Sequence, residues 1–467
     1  MSITAEMARN IVETPFEAFD GLVIEKARER IIDVIGCALA GVHAPGCAML
    51  LDLMREWGGK EEGAVLGLGD RLPTHHAAMV NSVLARSYDY EPTGALVGGK
   101  STPSHISGTT VPVALAVGEA KAASGRDLLT AMILGDDLAA RVVAASQLSI
   151  DSGWDSTGTV NAFGAAAIAG RLWGLTEKEM TNALGIAMNQ MSGTFLNIFD
   201  YAHTFKLPQG LAAQTGVFSA ALARKGYTAP RDILTGRHGY FSLYCKTYKL
   251  DILGKDLGRA FYAGDTFKPY PCCRSNHAAV ECTLALATRH SIKQEDLDEI
   301  VVSVTPAAKN FAVGQPFVVG RVPQINAAFS LQYTVANAFV RKAMRLEHFT
   351  DDFIRDPAVL DVVGKVRLES TMPSELFLGA AVTIRTKEGK KYEARVDMPR
   401  GSDTFTPLSR AEKREKFRTN VAFCGTLEAE RAEEALELLE RLEEVDDIRE
   451  IIKLLVPSTQ NLGGSGG

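Results

Sequence analysis

The stretch "VPVALAVGEAKAASGRDLLTAMILGDDLAARVVAAS", Val111 to Ser146, decides the architecture. Its first part, Val111 to Ser124, is alanine-rich; its second, Leu128 to Ser146, repeats apolar residues at helical spacing, and Gly125 separates the two. A connection this short predicts two antiparallel helices folded onto each other. Toward the N-terminus, Leu22 to Gly41 sets Ile24, Ala27, Ile31, Ile35 and Leu39 at the same spacing and stops at a glycine. Toward the C-terminus, Thr176 and Glu179 form a capping box before "NALGIAMNQM", and a further helix is expected from Leu211 to Lys225, ending at Gly226. Strand-like alternation is nearly absent before about residue 265, so this half is expected to be all-α.

After Lys268 the texture changes. "EIVVSVT", Glu299 to Thr305, is β-branched and predicts a strand. "AAVTIRTKEGKKYEARVDM" alternates apolar and polar residues on both sides of Glu388-Gly389, which predicts a hairpin. Helices are expected between these strands, at Ala278 to His290 and Phe329 to Arg341, giving a smaller α+β unit. Beyond Ser409 the chain turns helical again through a Ser409–Glu412 capping box. The division expected is helical for 1–265, α+β for 266–405 and helical for 406–457. The end 458–467, with its "LGGSGG", is expected to be a flexible tail. No fixed-period repeat points to a solenoid.

The 467 residues are 46% apolar and 23% charged, the balance of a globular protein with a sizeable core. A net charge of −6 argues against a nucleic-acid partner, which would call for a basic face. No apolar run approaches the roughly 20 residues that cross a bilayer, so no membrane role is expected. The start "MSITAEMARN" lacks a secretory pattern, and seven thinly spread cysteines do not make a disulfide framework. A cytoplasmic location is the expectation.

Three segments carry possible chemistry. "GALVGGKS", Gly94 to Ser101, matches the phosphate-loop pattern, but such a loop must follow a strand and open a helix. Here the preceding residues look helical and then turn-like, and Pro103 follows almost at once, so the context test fails. "DTFKPYPCCRSNHAAVE", Asp265 to Glu281, holds Lys268, Cys272, Cys273, Arg274 and His277. Cys273 and His277 could share a helix face, yet a structural zinc needs four such ligands and a catalytic one three. No metal is expected, and the cysteines are expected to be packing residues. The third segment, Tyr88 to Thr110, gathers Asp89, Glu91, Thr93 and His105 between two helices. An Asp with a His can supply a general base and the group that orients it; the alternative is a solvated loop with helix caps.

Together "FKPYPCCRSNHAA", "SYDYEPT" with "PSH", "GWDSTGTVNAFGAAAIAGRLWGL" and "FSLQYTVANAF" resemble the MmgE/PrpD family, in order, over about residues 5 to 455. Its members carry out 2-methylcitrate dehydration, cis-aconitate decarboxylation and iminodisuccinate epimerisation. The resemblance implies a large helical domain built from both chain ends, an inserted α+β lid, a homodimer and chemistry without metal or organic cofactor. It implies site roles for Asp89, Thr93, His105, Lys268 and Tyr333. Two positions depart from the decarboxylase-like pattern: Asp155 stands where those members have a histidine, and Phe205 where they have a lysine, with Lys206 one place along.

The substrates implied are small di- or tricarboxylates. Removing a proton beside a carboxylate builds charge that fixed cations must meet, for which Lys268 and Arg274 are suited. His105 is the expected base, with Asp89 beside it, and Tyr333 or Lys268 the group that returns the proton. Thr93, Asp155, Lys206 and His277 complete the expected substrate contacts. Losing a histidine and a lysine makes the pocket less cationic, and Asp155 adds an anion able to meet a substrate amine. An epimerase acting on an amino-polycarboxylate such as iminodisuccinate is therefore the first expectation, and a dehydratase or decarboxylase of the same family the alternative.

Overall fold

The computed structural model describes residues 2–148 and 152–458, so most of the expected tail lies outside the described residues. The chain is mainly α-helical with a small sheet. The helical hairpin forms as Ser107–Lys121 and Gly125–Ser146, joined through a Ser124–Asp127 capping box. Its first helix begins four residues earlier than the periodicity predicts and accommodates Pro112. Gly21–Ala40, Thr74–Arg86, Asn161–Leu172, Glu177–Met188 and Leu207–Arg224 complete a bundle with a nearly continuous apolar interior. Small residues let these helices approach closely. A Cβ on Gly216 of Leu207–Arg224 would lie 2.2 Å from Ala165 Cβ on Asn161–Leu172, so this crossing admits only glycine.

Two short antiparallel pairs interrupt the helices, Gly63–Ala64 with Arg71–Leu72 and Ala95–Val97 with Lys100–Thr102. The second takes up most of the glycine-rich "GALVGGKS". Gly98 (φ 57°) and Gly99 (φ 77°) form its tight turn, a left-handed backbone that suits glycine. No helix opens until Ser107, so this loop lacks the strand–loop–helix geometry that cradles phosphate.

The α+β part contains a four-stranded sheet in the order Val366–Glu369, Leu297–Ser303, Ala380–Thr386, Lys391–Val396. The first pair is parallel and the others antiparallel, with Ile300 opposite both Val366 and Ile384. Ala380, Val382, Ile384 and Thr386 point inward, alternating with more exposed neighbours. The predicted hairpin turns at Gly389, φ 79°. Helix His277–Arg289 packs against the hairpin strands and helix Leu331–Arg341.

The last helices, Arg410–Cys424, Ala429–Leu439 and Arg449–Leu454, return to the N-terminal bundle. Backbone bonds Gly67 N–Leu455 O (2.9 Å) and Gly125 N–Val445 O (2.8 Å) join the two chain ends, as does the buried Lys416–Asp33 pair at 2.7 Å.

Candidate functional site

Helix Thr74–Arg86 ends on Arg86, and three residues later Asp89 adopts a left-handed backbone, φ 48°. That conformation turns the chain back, so that Asp89 and Glu91 both reach the Arg86 guanidinium. Thr93 then pairs with Thr266 through N–H···O bonds of 2.9 and 3.1 Å, and Thr266 in turn bridges to Ser402. This short ladder fixes the register between the helical part and the segment carrying Lys268. Two residues beyond Thr266, Lys268 Nζ lies 2.9 Å from Asp89 Oδ2 and donates to Asp89 O at 2.5 Å. His105, on the loop leading into helix Ser107–Lys121, completes the group. Asn161 Nδ2 donates to its carbonyl at 2.7 Å.

Arg86 Nη1 is the hub. It donates to Asp89 Oδ1 and, at 2.9 Å, to Glu91 Oε1, and it lies 3.0 Å from His105 Nδ1. His105 Nδ1 is itself 2.9 Å from Glu91 Oε1. Burial alone would raise both carboxyls, but Lys268 and Arg86 at Asp89, and Arg86 and His105 at Glu91, hold them below the usual carboxylate range. Burial, and then the Arg86 charge, push His105 below the ordinary histidine value, outweighing the opposite pull of Glu91. Both acids are therefore ionised and the ring neutral at pH 7. An ionised Glu91 can only accept, which assigns the ring proton to Nδ1 and leaves the Nε2 lone pair facing Arg86 Nη1 at 3.4 Å. The side chains of Arg86, Asp89, Glu91 and Lys268 are 0–2% exposed while that of His105 is 20% exposed, so the ring is the edge a substrate can reach.

A neutral histidine backed by a carboxylate can take or deliver a proton, and two fixed cations beside it can meet growing negative charge. Asp89, Glu91 and His105 also lie close enough together to ligate a divalent ion, their donor atoms all within 4.8 Å. Arg86 Nη1, however, is within hydrogen-bonding distance of all three, so the guanidinium already holds the position such an ion would take.

Of the residues expected from the sequence, Asp89, His105 and Lys268 come together. Thr93 sits beside them, its hydroxyl donating to Ser104 O at 2.7 Å. The partner of His105 is Glu91 rather than Asp89, whose Oδ1 is 3.8 Å from the ring.

The other five residues make their hydrogen bonds elsewhere, although the Asp155 carboxylate still acts on the Arg86 charge. Arg274 donates to Arg400 O (2.5 Å) and Pro399 O (2.7 Å), and burial lowers its pKa to about 10. His277 is wholly buried between Arg274 (3.1 Å) and Cys272 O (3.2 Å) and is held neutral by burial. Tyr333 is packed between Phe317 and Phe349 and donates to His348 O. Asp155 caps helix Ser156–Thr159 by accepting from Thr157 N at 2.9 Å. Lys206 turns to Pro45 O (2.7 Å), Ser87 Oγ (3.2 Å) and Cys47 Sγ (3.3 Å). Phe205, in contrast, faces the cluster, its ring centroid 5.4 Å from the Arg86 guanidinium carbon. Cys272 and Cys273 are buried free thiols whose pKa values burial raises.

Arg86 is the member of this cluster that sequence reasoning had little cause to single out. The only signal for it was position: an arginine closing a buried helix immediately before a loop rich in acids.

The chain is 26% identical over 446 residues to human cis-aconitate decarboxylase, covering 89% of each chain. It is 26% identical over 443 residues to cis-aconitate decarboxylase of Aspergillus terreus, again 89% of each, and 26% over 423 residues to the mouse protein of that name, 86% of this chain and 83% of the other. Residues 5–253 match the MmgE/PrpD N-terminal domain and residues 270–444 the MmgE/PrpD C-terminal domain. The chain belongs to the MmgE/PrpD family.

Proposed function

We propose that this protein is a lyase acting on a small di- or tricarboxylate, with a cis-aconitate-like acid as the first substrate to test. The observation that carries this reading is the Glu91–His105 pair beside two buried cations, in a chain similar over 89% of its length to cis-aconitate decarboxylases. In decarboxylation a C–C bond breaks, CO2 leaves, and its electron pair spreads toward a second carboxylate. Arg86 and Lys268 supply fixed positive charge for that state. Helix Ser107–Lys121 adds its positive end, since it begins two residues after His105 and has no side-chain cap. His105, charged by a solvent proton, then delivers that proton to carbon. In an elimination the same Nε2 takes a proton instead. Arg86 and Lys268 also supply the positive charge for which other sites use a metal, so the reaction is read as cofactor-independent. In this reading residues 266–405 act as a lid that brings Lys268 to Asp89, and the protein works as a homodimer.

The epimerase reading keeps one supporting observation. Phe205 takes the place of a cation at the cluster, which suits a substrate with fewer carboxylates. Its other support is divided: Asp155 Oδ1 accepts from Thr157 N, while the carboxylate also lies near enough to act on the Arg86 charge.

Proton NMR in D2O with citrates, aconitates, tartrates and iminodisuccinates separates the two. New vinyl signals or released CO2 support the lyase. Exchange at Cα or loss of stereochemistry without vinyl signals would replace it with the epimerase.

A further inference from the structure

Helix Arg410–Cys424 carries a buried cation that the reaction as derived above does not use. Lys416, 5% exposed at its side chain, lies 2.7 Å from Asp33 Oδ2 and 3.0 Å from Asp33 Oδ1. The same Nζ donates to Tyr90 O at 2.8 Å and sits 3.8 Å above the centroid of the Tyr90 ring. Tyr90 is the residue between Asp89 and Glu91. One turn earlier on the same helix, Lys413 lies 4.0 Å above the ring of Phe267, the residue before Lys268. Two lysines of the last long helix thus hold the neighbours of both partners in the Asp89–Lys268 ion pair.

A buried ion pair stabilises a fold little better than a well-packed apolar pair of the same volume. What Lys416 supplies that an apolar residue cannot is a directed N–H on one particular carbonyl. That carbonyl needs holding. Asp89 is a non-glycine residue in the left-handed region, a conformation that persists only where the surroundings enforce it. Fixing the Tyr90 carbonyl fixes the peptide plane through which the chain passes from Asp89 to Glu91, and with it the direction from which Glu91 meets His105 Nδ1.

We propose that Lys416, held by Asp33, is a positioning residue that sets the Asp89–Glu91 loop so that Glu91 orients His105. The proposal rests on reading that cluster as the reacting centre.

Lys416→Met tests it, with the double variant Asp33→Asn/Lys416→Met removing both buried charges should the single one fail to fold. The readouts are kcat and KM on the substrate that the NMR panel identifies, melting temperature, and the 15N–1H correlations of the His105 ring. The expected result is a fall in kcat of about a hundredfold with KM changed less than about threefold. The His105 ring signals should shift or split away from the single Nδ1–H form, and Lys416→Arg should recover part of kcat. A folded variant with kcat within about threefold of the parent protein would overturn the proposal, whatever its melting temperature. If the parent protein turns over nothing in the panel, the lyase reading fails on its own. The ring spectrum then decides about Lys416, and unchanged His105 signals in the variants would overturn it.

Discussion

Arg86 and His105 stand 3.0 Å apart; Arg274 and His277 stand 3.1 Å apart. Both arginines are buried and both histidines are pushed below their ordinary value, chiefly by burial. The difference lies in what surrounds them. Arg86 meets two ionised carboxylates, and its histidine reaches an open edge. Arg274 meets the carbonyls of Pro399 and Arg400, and its histidine is sealed against Cys272 O. The same residue types thus give the proposed proton-transfer site in one place and a tie between chain segments in the other. Acids that stay charged and a ring edge left accessible separate the two.

Four expected outcomes test that contrast. Lys268→Met should have the largest combined effect on fold and turnover of these four, because it removes a cation from the first pair's surroundings and leaves the buried Asp89 with one cation fewer. Breaking such a buried pair is expected to cost about 3–5 kcal/mol in urea unfolding and to lower turnover at least about a hundredfold. Glu91→Gln keeps the shape but removes the anion that assigns the His105 proton. Turnover should fall about a hundredfold, and stability should fall as well because the buried Arg86 loses one of its two anions; an unchanged rate in the folded variant would return the orienting role to Asp89. Arg274→Met should lower stability by about 2–3 kcal/mol while kcat in the folded variant stays within about threefold. A large kcat loss there would show that the second pair also contacts substrate.

The smallest effect is the pH dependence of stability. His105 and His277 titrate below their unfolded value of 6.5, and His348 at about 4, so the unfolded chain binds more protons in this window. These histidines should make stability decline as pH falls through 6.5, partly offset by Asp137, which burial raises to about 6, and Glu91 and Asp89 add to the decline below 4.5. A urea midpoint that rises as pH is lowered from 7 to 5 would contradict the burial of these histidines.

Most of the fold was legible because it rests on local patterns. Apolar spacing marked Gly21–Ala40 and Leu207–Arg224, capping boxes marked Thr176 and Ser409, and alternation about Gly389 marked the hairpin. The early start of Ser107–Lys121 was not legible, since a proline at 112 argues against helix before it. The site was half legible. Asp89, His105 and Lys268 follow from residue type and resemblance, but which of two acids two residues apart faces the ring depends on the left-handed turn at Asp89. Arg274 and Tyr333 donate to backbone carbonyls, and a polar side chain in a promising segment gives no sign of such a bond. Lys416 reaches Tyr90 across 326 residues, a contact that no local pattern announces.

The most direct test of the central claim is the turnover of His105→Ala beside the parent protein at pH 7, on the carboxylate that the NMR panel identifies. His105 is the exposed member of the cluster, so the variant should fold with a nearly unchanged melting temperature. Turnover about a thousandfold lower is the expected result. A folded His105→Ala protein within tenfold of the parent rate would contradict the assignment of this cluster as the reacting centre.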